Sequence, residues 1–375
     1  MPLNPSGAIS LAGPVAGQSI AVELGQSATA TISLNDTNVR TLAQVPSGVI
    51  VMPTDFYGKS TFTPTQRAIF GFGNLSGGAI SNTINLVSST GVVAANTTSP
   101  GTGRSSLAAA SYGGDKAIFG FGNIPSSPAP FVITNQINLV SNTGVVAANT
   151  PGTGTARQFL AAAGYGGDKA IFGYGSIPAP AVSFSITNLV SNTGVVASDT
   201  PGVGMARPRL AAAGYGGDKA IFGYGEGPIG PAFVTNITNL VSNTGVVASD
   251  TPGVGAARSS LAAASYGGDK AIFGYGQGNA PIAGGTTITN LVSNTGVVAS
   301  DTPGAGTIRA SLAAAGYGGD KAIFGFGTNP TLSPAAARPQ NITNLVSNTG
   351  VVAANTPGVG AARSNLAAAG YSTSP

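Results

Sequence analysis

The residues of this chain that could do chemistry recur along it at nearly constant spacing. An arginine precedes each Leu-Ala-Ala-Ala segment, and a Gly-Gly-Asp-Lys motif follows most of these segments. A ring of such arginines at the mouth of a channel would bind an anion or an acidic sugar. Because a residue copied into every unit is already explained by packing between units, we favour a structural role in which each arginine binds carbonyls of the neighbouring unit. These arginines are Arg104, Arg157, Arg207, Arg258, Arg309 and Arg363.

Acidic residues recur at two further places in the repeat. The Asp-Lys pairs, from Asp115-Lys116 to Asp320-Lys321, suit solvated hairpin turns better than a partner-binding surface. Asp199, Asp250 and Asp301 occupy a loop position that carries asparagine in the other units. One carboxylate per loop is too few for Ca²⁺, which gathers several oxygen ligands. We therefore expect these side chains to cap turns.

Catalysis is hard to build from this composition, because the chain contains no His and no Cys. The usual general base and thiol nucleophile are absent, as are disulfides and Cys/His metal sites. The acids outside the repeated set are Glu23, Asp36, Asp55 and Glu226, of which only Glu226 lies in the repeats. We predict a protein that is not an enzyme and that needs no cofactor and no metal.

The elements that carry these residues are predicted from the repeat itself. The Ala-Ile-Phe-Gly segment begins at Ala68, Ala117, Ala170, Ala220, Ala271 and Ala322, a period near fifty residues. Within one unit we predict strands at Leu210–Tyr215, Lys219–Tyr224, Thr238–Ser242 and Gly245–Ala248, joined by turns rich in Gly, Asn and Asp. Four antiparallel strands per unit are typical of a β-propeller blade. The chain is therefore predicted to be all-β, with six blades.

The two ends of the repeat region complement each other. The first unit starts at Arg67 with no preceding Leu-Ala-Ala-Ala segment, whereas residues 363–371 supply that segment with no Ala-Ile-Phe-Gly after it. We expect the C-terminal strand to complete the first blade and close the ring, which removes free sheet edges. The propeller domain is expected to span residues 67–375, of which residues 67–371 resemble a degenerate kelch-type propeller, although the chain lacks the tryptophan that kelch blades usually carry late in the repeat.

Sequence differs most between units in the segment that joins the second strand to the third. These segments are rich in Pro and carry scattered apolar residues, and we expect them to emerge on one face. A constant frame with divergent loops predicts a recognition surface. The candidate binding residues of this face are Ile124, Phe131, Phe184, Glu226, Ile229, Phe233, Ile282 and Arg338.

Residues 1–66 contain no copy of the repeat and are predicted to form a separate small module. Asn35 or Asp36 can cap a short helix whose Val39, Leu42 and Ala43 share one face. The blocks Ile32–Asp36, Val39–Ala43, Ser47–Met52 and Phe56–Ser60 resemble a module near the start of bacteriophage tail-associated proteins. The resemblance implies a virion-anchoring role, for which the candidate residues are Val39, Arg40, Leu42, Phe56, Tyr57 and Lys59.

Together these features predict a structural protein of a phage particle, a tail, baseplate or fibre appendage present in multiple copies. Its expected partners are other virion proteins and a host-surface glycan or receptor, with no nucleic acid. The alternative is a lectin-like or polysaccharide-degrading propeller, which would place acids and aromatic residues in the variable loops. The N-terminus lacks the features of a signal peptide and no apolar run is long enough to span a membrane. We expect a soluble protein made in the host cytoplasm, with no membrane insertion.

Overall fold

The computed structural model describes residues 3, 6–15, 17–43, 45, 47–56, 65–126, 131–227, 233–279, 284–334 and 338–373. The chain divides into two compact parts, which we call the N-terminal module, Met1–Thr65, and the repeat domain, Gln66–Thr373. Each part has its own hydrophobic core. The division lies next to the boundary expected from the start of the repeats.

The N-terminal module contains short helices at Ile20–Glu23 and Thr37–Ala43 and a 3₁₀ turn at Thr54–Phe56. The second helix begins directly after Asp36, whose carbonyl accepts the amide of Arg40. This helix has the apolar face predicted from the spacing of Val39, Leu42 and Ala43. The face is buried with Ile20 and Phe56 in the core of the N-terminal module.

The repeat domain is built from small antiparallel sheets, which confirms the all-β prediction. The first strands of the sheets are Ala108–Tyr112, Ala161–Tyr165, Ala211–Tyr215, Ala262–Tyr266, Ala313–Tyr317 and Ala367–Thr373. The second strands are Thr65–Gly71, Lys116–Gly120, Lys169–Gly173, Lys219–Gly223, Lys270–Gly274 and Lys321–Gly325. The third strands are Thr83–Val87, Ile137–Val140, Thr187–Val190, Thr238–Val241, Thr289–Val292 and Thr343–Val346. Shorter strands lie at Asn74–Leu75, Thr97–Thr98, Asn123–Pro125, Phe131–Ile133, Ser176–Pro178, Ala181–Ser183 and Arg363–Ser364.

The predicted fourth strand is not a regular strand in any of the six units, as far as the described residues show, and the short strand Thr97–Thr98 of the first unit follows the predicted segment. In the fourth unit, Gly245–Ala248 is joined to the third strand through the single bridge from Val241 to Val247, and a second bridge joins Thr238 to Thr251 beyond it. The span from Val247 to Thr251 holds one residue more than the span it faces, which is the geometry of a β-bulge. The side-chain amide of Asn239 donates to the carbonyl of Ala248 at 3.0 Å and so satisfies the bulged backbone.

Successive sheets pack face to face through a repeated apolar layer. Ala211, Ala213 and Ile221 of the fourth unit share a core cluster with Leu261 and Phe273 of the fifth. The second strand must end in glycine for this contact, because a Cβ on Gly223 would lie 2.8 Å from the Cζ atom of Phe273. Equivalent clusters follow between the other units, and one of them joins the first and sixth.

The first strands contact one another in a series that returns to its start. Ala367–Thr373 contacts both Ala108–Tyr112 and Ala313–Tyr317, and it pairs with the second strand Thr65–Gly71 of the first unit. Two series of inter-unit backbone hydrogen bonds accompany these contacts. At one end of the strands they run from Gly113 to Asp168 and onward, and close through Ser372 donating to Asp115.

The second series joins the residues just before the leucine of each Leu-Ala-Ala-Ala segment. Each amide in it donates to the carbonyl of the preceding unit, and the last link returns from Ser106 to Asn365. Its distances lie between 2.8 and 2.9 Å. All of its members have positive φ angles, so the backbone is strained in the same way in every unit. We call this series the mouth ring; its residues are Ser106, Phe159, Arg209, Ser260, Ser311 and Asn365.

Candidate functional site

The repeated arginines are fully buried, and each lies between two units. The Arg157 guanidinium donates from Nε to the carbonyl of Tyr174 at 2.6 Å and from Nη2 to Oδ1 of Asn188 at 2.8 Å. Its Cζ atom lies 4.5 Å from the ring centroid of Phe121 in the preceding unit. The carbonyls that it binds belong to its own unit, so the expectation that each arginine binds carbonyls of the neighbouring unit was wrong. The contact across the unit boundary is cation–π packing.

Burial also makes these arginines unsuitable as a channel anion site. It lowers the pKa of Arg104, Arg157 and Arg363 to about 10 by desolvating the charged form. At neutral pH they remain charged, and no part of their side chains reaches solvent. The structural role that we favoured from the repeat pattern agrees with this geometry.

The loop before each arginine is capped by the side chain at the position that carries Asp199, Asp250 and Asp301 in three units and asparagine in the others. Asp199 accepts hydrogen bonds from the backbone and hydroxyl of Thr155 and from the amide of Asn188. Burial alone would raise the pKa of Asp199, but these hydrogen bonds outweigh it and lower the pKa. In the second unit Asn149 makes the same contacts to Thr102 and Asn138. The side chain therefore caps a loop, as predicted, and among the described residues no cluster of acids could hold a metal ion.

The Asp-Lys pairs lie in exposed hairpin turns. In Asp218-Lys219 the Nζ to Oδ1 distance is 2.6 Å, and both side chains are about two-fifths exposed, at 38% and 42%. The hydrogen bond with lysine is the main cause that lowers the pKa of Asp218. Exposed pairs of this kind contribute little to stability.

The mouth ring surrounds a small cavity lined by residues from all six units. Its volume is about 70 Å³. The apolar part of its lining comes from the leucine that follows each ring residue. We call this space the leucine cavity; its leucines are Leu107, Leu160, Leu210, Leu261, Leu312 and Leu366.

The variable segments begin beside the mouth ring. In the second unit Asn123 pairs with Ser105, and in the fifth Gln277 pairs with Ser259. Equivalent backbone contacts occur in the remaining units. The variable segments therefore start at the same end of the first strands, next to the leucine cavity.

One polar cluster at this end has no counterpart among the repeats. Arg209 lies over the ring of Phe159, with its Cζ atom 4.3 Å from the centroid. Its Nη1 donates to Oε1 of Glu226 at 3.1 Å, and the hydroxyl of Ser259 lies 3.3 Å from the same oxygen. Sequence analysis found Glu226 but missed Phe159 and Arg209, although both break the small-residue pattern of their position.

The other predicted face residues occupy varied positions. Ile124 and Phe131 are partly buried in a short hairpin, and Phe184 is partly buried after another. Phe233 is 43% exposed, and exposed Arg338 donates to the carbonyl of Leu332. Ile229 and Ile282 lie outside the described residues.

The described candidate anchor residues of the N-terminal module are mostly internal. Val39, Leu42 and Phe56 are buried in its own core. Arg40 binds the carbonyls of Val45 and Gly48 within the module.

Tyr57 and Lys59, the other two anchor candidates, lie outside the described residues. Val49 and Val51 are instead the exposed apolar residues near these blocks, at 84% and 53%. Their alternation with Ile50 and Met52, which pack on the core, was the signal available in the sequence.

No protein-family model and no characterised protein matches the chain. In the described part of the chain, no helix is long and apolar enough to cross a membrane.

Proposed function

We propose that Gln66–Thr373 is a six-bladed β-propeller that serves as a binding scaffold, and that the whole chain is a structural protein of a phage particle. The observation that carries the scaffold role is the contrast between repeated and variable residues. The repeated charged side chains make contacts within the frame, while the unrepeated Arg209 lies in the mouth ring and binds Glu226 at the start of a variable segment.

Support for a ring comes from the two closing series of hydrogen bonds and from the pairing of Ala367–Thr373 with Thr65–Gly71. A closed ring leaves no free inner or terminal edge strand, which suits a protein exposed outside a cell. The particle role rests on the resemblance of residues 1–66 to a tail-protein module. We assign attachment to the particle to the N-terminal module and recognition of a binding partner to the face that carries the variable segments.

Attachment is tested with the full chain. A tagged copy carrying both Val49→Asp and Val51→Asp is expressed in cells in which the phage multiplies, and the purified particles are probed for the tag. We expect the unsubstituted chain to be incorporated and the double variant to be lost, because a charge desolvated in an apolar contact is costly.

The matched control is Val246→Asp, because Val246 is 67% exposed on the repeat region. If particles take up the double variant normally, this surface does not attach the protein. If they take up neither variant nor unsubstituted chain, the particle role is wrong.

A further inference from the structure

The mouth ring departs from its repeat at two adjacent positions. Four of its members carry small side chains, serine or asparagine, whereas the third and fourth units carry Phe159 and Arg209. Both have positive φ angles, 54° and 57°, a conformation in which large side chains are unusual. Such departures at strained positions are more common at functional sites than elsewhere.

Glu226 departs from the repeat in the same sector. The equivalent residues in other units, such as Asn123, Ser176 and Gln277, are uncharged. The side chain of Glu226 is only 9% exposed, so its carboxylate requires a cation, and Arg209 supplies it. Arg209 and Glu226 therefore form one ion pair that departs from the repeat as a whole.

Arg209 retains unused binding capacity. Its side chain is 33% exposed, and among the described residues its hydrogen bond to Glu226 uses only Nη1. Stacking on Phe159 fixes the plane of the guanidinium. The remaining donors can then take a carboxylate in a fork geometry without a large loss of side-chain entropy.

Arg209 and Leu210 both line the leucine cavity. A cavity whose wall contains both leucines and an arginine suits a ligand of two parts. We propose that the mouth ring binds ligands in which a carboxylate is joined to a short aliphatic group. The carboxylate contacts Arg209 and the aliphatic group enters the leucine cavity. This binding does not depend on attachment to a particle.

The test uses the full chain with labelled leucine methyl groups, titrated with N-acetylleucine and followed by NMR. We expect shifts of the methyl groups of Leu210 and Leu261, and N-acetylleucinamide should bind at least about tenfold more weakly because it lacks the charge. Equal binding of the acid and the amide would overturn the proposal.

Two substitutions take residues that other units already carry at these positions, so the frame should tolerate them. Arg209→Ser should weaken binding of N-acetylleucine by about tenfold or more. Glu226→Gln should leave binding equal or tighter, because it removes a competing negative charge. Unchanged binding in the first variant, or lost binding in the second, would contradict the assignment. Arg338→Ser removes an equal charge from another variable segment and should change nothing.

A free acid and the terminal residue of a peptide share this chemistry. Isovalerate and the peptide acetyl-Gly-Gly-Leu distinguish them. A peptide that binds more tightly than isovalerate assigns the site to a chain terminus that also contacts the variable segments, and equal affinity assigns it to a small free acid.

Discussion

Leu366 gives the sharpest test of whether the C-terminal strand is equivalent to the internal first strands. It is 5% exposed, as is Leu210 in the fourth unit, and both line the leucine cavity. Truncating a buried leucine to alanine costs about 2–5 kcal/mol, and the cavity alongside favours the lower end of that range. We therefore expect Leu366→Ala and Leu210→Ala each to lower the free energy of unfolding by about 2–3 kcal/mol.

Deletion of residues 366–375 should cost more than either substitution. It removes Leu366 and Tyr371, which is 2% exposed, together with the amide of Ser372 that donates to Asp115. Burial of the two large side chains alone is worth roughly 3–6 kcal/mol. It also leaves the strand Thr65–Gly71 without one of its two partner strands, so the loss of stability should exceed this sum.

Urea unfolding followed by circular dichroism and by tyrosine fluorescence measures the stability of the unsubstituted chain and of the three variants. We expect coincident transitions for the unsubstituted chain within Gln66–Thr373, and equal shifts for the two alanine variants. A much smaller effect of Leu366→Ala than of Leu210→Ala would show that the terminal strand is not equivalent to the others. A deletion variant as stable as the full chain would refute ring closure by this strand.

Further predictions concern the loop cap and the tight packing between sheets. Asp199→Asn should lower stability by about 1 kcal/mol at pH 7, since a charged hydrogen-bond acceptor is lost. The pKa of Asp199 is lowered on folding, so its contribution is present above the unfolded pKa of about 3.9 and disappears as pH falls through the folded pKa. The difference between the thermal melts of the two proteins should therefore shrink as pH falls below about 4, and Asn149→Asp should gain stability at pH 7. Gly223→Ala should cost about 1–3 kcal/mol in urea unfolding through overpacking against Phe273, whereas Gly214→Ser, a change to a residue present in other units, should cost under about 1 kcal/mol.

The strands of the frame were predictable because their signals are local. Gly-Gly-Asp-Lys marks a tight turn, and the apolar residues on either side of it alternate with the period of a strand. The predicted strand Lys219–Tyr224 matches the observed Lys219–Gly223 almost to its ends. The bulge after Thr238 was not predictable in the same way, because it depends on the side chain of Asn239 replacing a backbone partner.

The candidate site divides along the same line. The buried role of the repeated arginines followed from their repetition, since an identical environment in every unit is an environment of the frame. The partners of one arginine were not predictable, because Arg157 lies on a ring of the preceding unit and binds an asparagine of its own third strand. Such contacts require the curvature of the whole assembly, which no single unit specifies.

Repetition also explains why the one asymmetric cluster is informative. The frame needs no additional charge at the mouth ring, because four of the ring positions carry small uncharged residues. Arg209 and Glu226 introduce two charges there, one of them buried, where serine and glutamine suffice in the fifth unit. A buried ion pair contributes little net stability once its desolvation is counted. The frame gains nothing from this pair that serine and glutamine would not provide, so we assign the pair to the ligand site proposed for the exposed guanidinium of Arg209.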